Sequence, residues 1–120
     1  MKILHIGNYS ETIEEFSNIL KTKNHDFESV MDGKKALVMI QNNYYDLILI
    51  DLVMSGYSGI DFLLDLKKRP TNIQKITVVD SPELDEYQIK FLRDLGADSI
   101  LQKPISIQNL LSQLEPNLTS

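Results

Sequence analysis

Short runs of consecutive apolar residues alternate along this chain with longer segments in which apolar residues recur every three to four positions, and the alternation repeats five times. An uninterrupted apolar run of this length reads as a strand buried on both faces, and the 3.6-residue period as a helix with one apolar stripe. Five such pairs predict an α/β domain with a parallel sheet covered by helices on both faces. The first strand is expected at Lys2 to Ile6. The helix after it, in "SETIEEFSNILKT", sets Ile13, Phe16, Ile19 and Leu20 on one side, with Ser10 as N-cap and acids in the first turn. A second strand at Asp26 to Val30 leads to "DGKKALVMIQNN", capped by Asp32 and facing inward through Ala36, Leu37 and Ile40.

The strongest strand signal is Asp46 to Ile50, followed by a loop from Asp51 to Ser58 and a helix from Gly59 to Arg69 that Pro70 stops. Lys75 to Val79 gives a fourth strand. The segment "SPELDEYQIKFLRDLG" predicts a helix with Ser81 at its cap, Pro82 in its first turn and Gly96 as its stop. Ser99 to Leu101 is a brief fifth strand, and a last helix runs from about Ser106 to just before Pro116. A single domain over residues 1–115 is expected, with 116–120 as a tail or the start of a linker.

Composition narrows the function. The 120 residues suffice for one core, and 42% hydrophobic with 24% charged residues is ordinary for a soluble domain. A formal net charge of −5, with its basic residues scattered, argues against a nucleic-acid backbone as partner. No cysteine is present, which excludes thiol nucleophiles and thiolate metal sites and fits a reducing cytosol. No apolar stretch reaches the length of a membrane span, and none resembles a signal peptide. The expectation is a cytoplasmic protein.

In a parallel sheet of this kind, ligands gather outside the carboxyl ends of the strands, where the strand order reverses. Three chemically able groups fall at such ends: Asp51 after the third strand, Ser81 after the fourth and Lys103 after the fifth. A carboxylate can attack phosphorus, an ammonium can neutralise the phosphoryl oxygens, and a hydroxyl can donate to them. Any one of the three alone reads as a cap, a turn residue or a surface lysine. Of the two histidines, His5 lies in a central strand and is expected as a hydrogen-bonded core residue, and His25 in a polar loop with no special role. Tyr44 and Tyr45 are expected to pack the second helix against its neighbours.

With these residues in view, the chain resembles the receiver domains of two-component response regulators over essentially its whole length. The resemblance rests on "KILHIGN", on "DLILIDLVMSGYSGID" with Met54 and Gly59 at fixed distances from Asp51, and on "GADSILQKPIS" with Lys103 before Pro104. It implies a flavodoxin-like three-layer sandwich, its five-stranded parallel sheet in the order 2-1-3-4-5 with five helices. It also implies Asp51 as phosphoacceptor, Lys103 and Ser81 as phosphoryl-binding groups, and Ser81 as the switch hydroxyl. The expected partner is a histidine kinase. The surface of the fourth helix, fifth strand and fifth helix is expected to meet an effector protein, an output domain or a second copy of the chain, and the domain itself is expected not to be an enzyme.

The chain departs from that family at the metal site. Receivers carry an acidic pair after the first strand that helps to hold Mg²⁺, and here the pair reads Gly7 and Asn8. The remaining ligands would be Asp51, Asn8 and the carbonyl of Val53, so a weak or absent Mg²⁺ site is expected. At the switch, Ile100 stands where many receivers have an aromatic residue, and Pro82 follows the switch hydroxyl. Two other functions fit part of the pattern. One is a pseudo-receiver, a protein-binding module that works without phosphorylation. The other is a small flavoprotein whose phosphate would sit on "NYSET", a loop in which Glu11 repels the phosphate and no glycine forms a cradle.

Overall fold

A computed structural model describes residues 1–52, 56–69, 75–80, 84–102 and 105–114, with the backbone alone described at 75–80 and 113–114. Its elements in chain order are β1 (Lys2–Ile6), α1 (Glu11–Thr22), β2 (Asp26–Val30), α2 (Gly33–Asn42), β3 (Leu47–Asp51), α3 (Gly59–Lys67), β4 (Lys75–Asp80), α4 (Glu86–Asp94), β5 (Ser99–Gln102) and α5 (Ile107–Leu114). The five strands form one parallel sheet in the order β2-β1-β3-β4-β5. This is the order and the flavodoxin-like architecture that the resemblance implies. None of the helices among the described residues is long and apolar enough to cross a membrane.

All five residues of β3 are buried, as an unalternated apolar run requires of a strand covered on both faces. Period-two alternation then divides the core. Leu4, Ile6, Ile48 and Ile50 join Ala36, Leu37, Phe62 and Leu63 on one face. Ile3, Phe27, Leu47 and Leu49 join Ile13, Phe16, Leu20 and Leu110 on the other.

The helix starts are fixed by side-chain caps. Ser10 accepts from the Ile13 N–H of α1, Asp32 from the Lys34 N–H of α2 and Ser106 from the Asn109 N–H of α5. Helices α3 and α4 each begin with a reciprocal box, Ser58 with Asp61 and Asp85 with Gln88.

Several boundaries differ from the sequence expectation. Strand β3 begins at Leu47, because Asp46 braces the neighbouring strand instead: its carboxylate accepts the Lys2 N–H at 2.7 Å and its own N–H donates to the Lys2 carbonyl. At the other end β3 includes Asp51. Strands β4 and β5 each run one residue further than expected, joined by the pairing of Asp80 with Gln102. Helix α3 stops at Lys67. Helix α4 starts at Glu86 with Asp85 as its cap, so neither Ser81 nor Pro82 lies at its start. The Asp85–Gln88 box satisfies the first N–H groups further along the chain.

Of the tyrosine pair, Tyr44 is exposed and Tyr45 is buried, its hydroxyl donating to Glu28 across 3.2 Å. Burial first, and then the charge and hydrogen bond of Glu28, raise the Tyr45 pKa from 10.0 to about 12. A folded-state pKa above the unfolded value contributes stability that is whole below pH 10 and is lost as pH rises toward 12. Tyr45→Phe is expected to flatten the fall in unfolding free energy across that window. Urea denaturation of both proteins at neutral pH and in the alkaline window measures the two slopes.

Candidate functional site

The carboxyl ends of β1 and β3 form the centre of the rim, where the chain order turns from β2-β1 to β3-β4. Asp51 is the last residue of β3, paired with Val79 of β4. Its side chain is buried, with 5% of the residue's surface accessible.

The reason lies in the next strand. Gly7 follows Ile6, which pairs with Ile50, so it stands beside Asp51 with no side chain of its own. A Cβ built there would come within 2.3 Å of Asp51 Oδ2 and 2.5 Å of its Cγ. The carboxyl group therefore fills the space that a residue at position 7 would need, and the backbone there, at φ +151°, is one that side chains rarely adopt. A second glycine lets the start of α3 approach the backbone of Asp51. Gly59, the first residue of α3, donates its N–H to the Leu52 carbonyl, and a Cβ on it would lie 2.6 Å from the Asp51 carbonyl oxygen. Helix α3 thus starts in backbone contact with the end of β3.

Beneath the carboxylate lies His5. It is fully buried in β1, as expected of a core histidine, and its Nδ1 is 2.7 Å from the Ser29 hydroxyl on β2. Its ring stacks on Phe27 at 6.3 Å between centroids. Its Nε2 lies 3.8 Å from Asp51 Oδ1 and has no hydrogen-bond partner. A buried ring nitrogen without a partner costs about 1–3 kcal/mol, and here the charge of the carboxylate lies in front of it.

The contact between His5 and Asp51 is the part of the site that sequence reasoning missed. The available signal was parity: with β1 beside β3, His5, Gly7, Leu49 and Asp51 share one face of the sheet. His25, expected in a polar loop, is buried where α1 returns into β2.

The other predicted site residues are distributed as follows. Asn8 is exposed beside Gly7. Ile100 is half-buried in β5 against the core beneath α2, α3 and α4. Ser81, Lys103 and Val53, along with Met54, Pro82 and Pro104, lie outside the described residues. Among the described residues no group of three or more His, Cys, Asp or Glu side chains is arranged to hold a metal ion. Tyr57, in the segment before α3, covers Gly33 at the start of α2 and donates to the Asp65 carboxylate. Burial, followed by that hydrogen bond, holds its pKa well above the usual tyrosine value.

The fold matches that of known proteins. The chain superposes on the Vibrio cholerae chemotaxis protein CheY4 with a TM-score of 0.84 over 96% of both chains at 22% identity, a likeness of fold. The receiver domain of the Francisella response regulator 1452 aligns with a TM-score of 0.82 at 29% identity, over 96% of this chain and 93% of that one. In sequence, the response regulator ArlR of Staphylococcus saprophyticus is 29% identical over 99 residues, which are 82% of this chain and 44% of that protein. The gliding motility regulatory protein of Myxococcus xanthus is 34% identical over 102 residues, or 84% of this chain and 13% of that protein. The chain thus spans less than half the length of these two curated relatives. The model of the response regulator receiver domain matches residues 3–115, and the chain belongs to that family of two-component signalling domains.

Proposed function

We propose that this domain is a phosphorylatable switch, in which Asp51 accepts a phosphoryl group from the phosphohistidine of a histidine kinase in the cytoplasm. A carboxylate oxygen forms the new P–O bond, the P–N bond of the donor breaks, and the released imidazole nitrogen recovers a proton from solvent. The domain turns over no substrate of its own. One observation carries this reading: Asp51 is the only buried acid among the described residues, and it lies at the carboxyl end of the fully buried central strand. Ser81 and Lys103, each the residue after a rim strand in sequence, supply the hydroxyl and the ammonium in this reading. Tyr87 and Phe91, one helical turn apart and exposed on α4, support the surface of α4, β5 and α5 as the face that an effector, an output domain or a second copy reads.

Receiver domains typically hold Mg²⁺ in an acidic pocket, and the described residues here do not fit that ion. Mg²⁺ demands hard oxygen donors in octahedral array. Gly7 offers no side chain, Asn8 is neutral, and Asp51 turns its oxygens toward Gly7 and an imidazole. No step of this reading passes through the metal.

Gly7 and Asn8 in place of the acidic pair favour a second reading, the pseudo-receiver that binds partners without phosphorylation. Incubation with a small acyl phosphate, with and without Mg²⁺, followed by intact-mass measurement, decides between them. One phosphoryl adduct on the wild type and none on Asp51→Asn is the expected result. No adduct on either protein, or an adduct that persists in Asp51→Asn, ends the reading of Asp51 as phosphoacceptor.

A further inference from the structure

We propose that His5 is a positioning residue for Asp51, presenting its Nε2–H to the carboxylate from inside the sheet. The inference rests on the reading of Asp51 as phosphoacceptor for its consequence, but not for its geometry.

Three adjacent strands build the arrangement. The register of β2 on β1 pairs Ser29 with His5, and that of β1 on β3 sets His5 opposite Leu49, two residues before Asp51 on the same face. The Ser29 hydroxyl at 2.7 Å occupies Nδ1, and the stack on Phe27 fixes the ring plane, so the imidazole has little freedom to turn. When the hydroxyl donates to Nδ1, the ring proton resides on Nε2, and that nitrogen faces Asp51 Oδ1 at 3.8 Å. A histidine kept only for packing would be satisfied through Ser29 and would direct its second nitrogen at apolar neighbours. Here the unpartnered nitrogen of a fully buried side chain is aimed at the only buried acid among the described residues.

The missing acid at Gly7 completes the picture. With a glycine at that position, the Asp51 carboxyl group has room to lie inward over the backbone and toward the imidazole. His5 and Gly7 thus act together: one makes the space and the other makes the inward position favourable for a negative charge. The consequence is a carboxylate whose inward position is set by two residues of the neighbouring strand.

The test uses the full chain. Ring nitrogen resonances of His5 and His25 are recorded by long-range ¹H–¹⁵N correlation in the wild type, in Asp51→Asn and in Ser29→Ala, with His25→Gln for assignment. Asp51→Asn is expected to shift the His5 Nε2 signal and leave His25 unmoved, and Ser29→Ala to move the His5 Nδ1 signal. A His5 spectrum unchanged by Asp51→Asn overturns the proposal.

In Mg²⁺-free buffer, His5→Leu is expected to slow adduct formation from the acyl phosphate roughly tenfold, through loss of the Nε2–H that faces and orients the carboxylate. His5→Gln, which keeps an N–H, is expected to recover part of the rate. Equal rates in the wild type, His5→Leu and His5→Gln would overturn the proposal as well. If His5→Leu does not fold, Ser29→Ala takes its place in the rate comparison. An absent adduct in every protein, with the Asp51→Asn shift still present, removes the phosphoacceptor reading and upholds the His5 contact.

Discussion

Gly7→Ala destabilises the domain by about 2–6 kcal/mol, and Asp51→Ala in the same chain returns part of that loss. The added methyl would lie 2.3, 2.5 and 2.9 Å from Oδ2, Cγ and Cβ of Asp51. Rotation of the Asp51 side chain can remove the first two contacts but not the third, which belongs to the atom next to the backbone. A side chain at φ +151° adds conformational strain of about 1–3 kcal/mol, and overpacking in a buried site costs about 1–3 kcal/mol more. Truncating Asp51 removes Oδ2 and Cγ, so the double variant should be more stable than the sum of the single effects by about 0.5–3 kcal/mol. Urea midpoints at constant slope measure the cycle. Strict additivity would mean that the carboxyl group does not occupy the space over Gly7.

Phe62→Ala is expected to be the most damaging truncation, at about 3–5 kcal/mol. Phe62 is fully buried on α3, in the cluster that holds Leu4, Ile6, Ile48 and Ile50. Its loss leaves a cavity between that helix and the sheet. Since small domains have about 5–15 kcal/mol in total, the variant should unfold at a far lower urea concentration. Leu64 is the internal control, on the same helix but 42% exposed. Leu64→Ala should cost no more than about 0.5 kcal/mol, and comparable losses at both positions would contradict the assignment of the inner face of α3.

Much of the fold could be read from the sequence, because burial on both faces leaves strands without polar alternation and because caps are local. "LILI" announces β3, and Ser10 and Asp32 announce α1 and α2 by the side-chain oxygen they offer to backbone N–H groups two or three positions on. The errors came where two local devices competed. Ser81 and Pro82 are a plausible helix start, but Asp85 with Gln88 makes a reciprocal box and wins. Asp46 looked like strand and instead serves as a bracket for Lys2.

The site was legible as to which acid matters and not as to how that acid is held. Asp51 is marked by its place after the apolar run, whereas its inward turn depends on a missing side chain one strand away, and its neighbour His5 on the pairing of β1 with β3. Neither is visible in any local window. Only the strand order converts a histidine at position 5 and a glycine at position 7 into the surroundings of residue 51.

The two outermost strands carry a last consequence of the sheet order. β2 and β5 present the open ladders, and an open ladder is a template on which another molecule's strand can grow. β2 is armed with Asp26 and Glu28, so an added copy would set like charges side by side, and β5 is only 4 residues long. Both edges of the sheet, as far as the described residues go, therefore disfavour the growth of a further strand into a fibril.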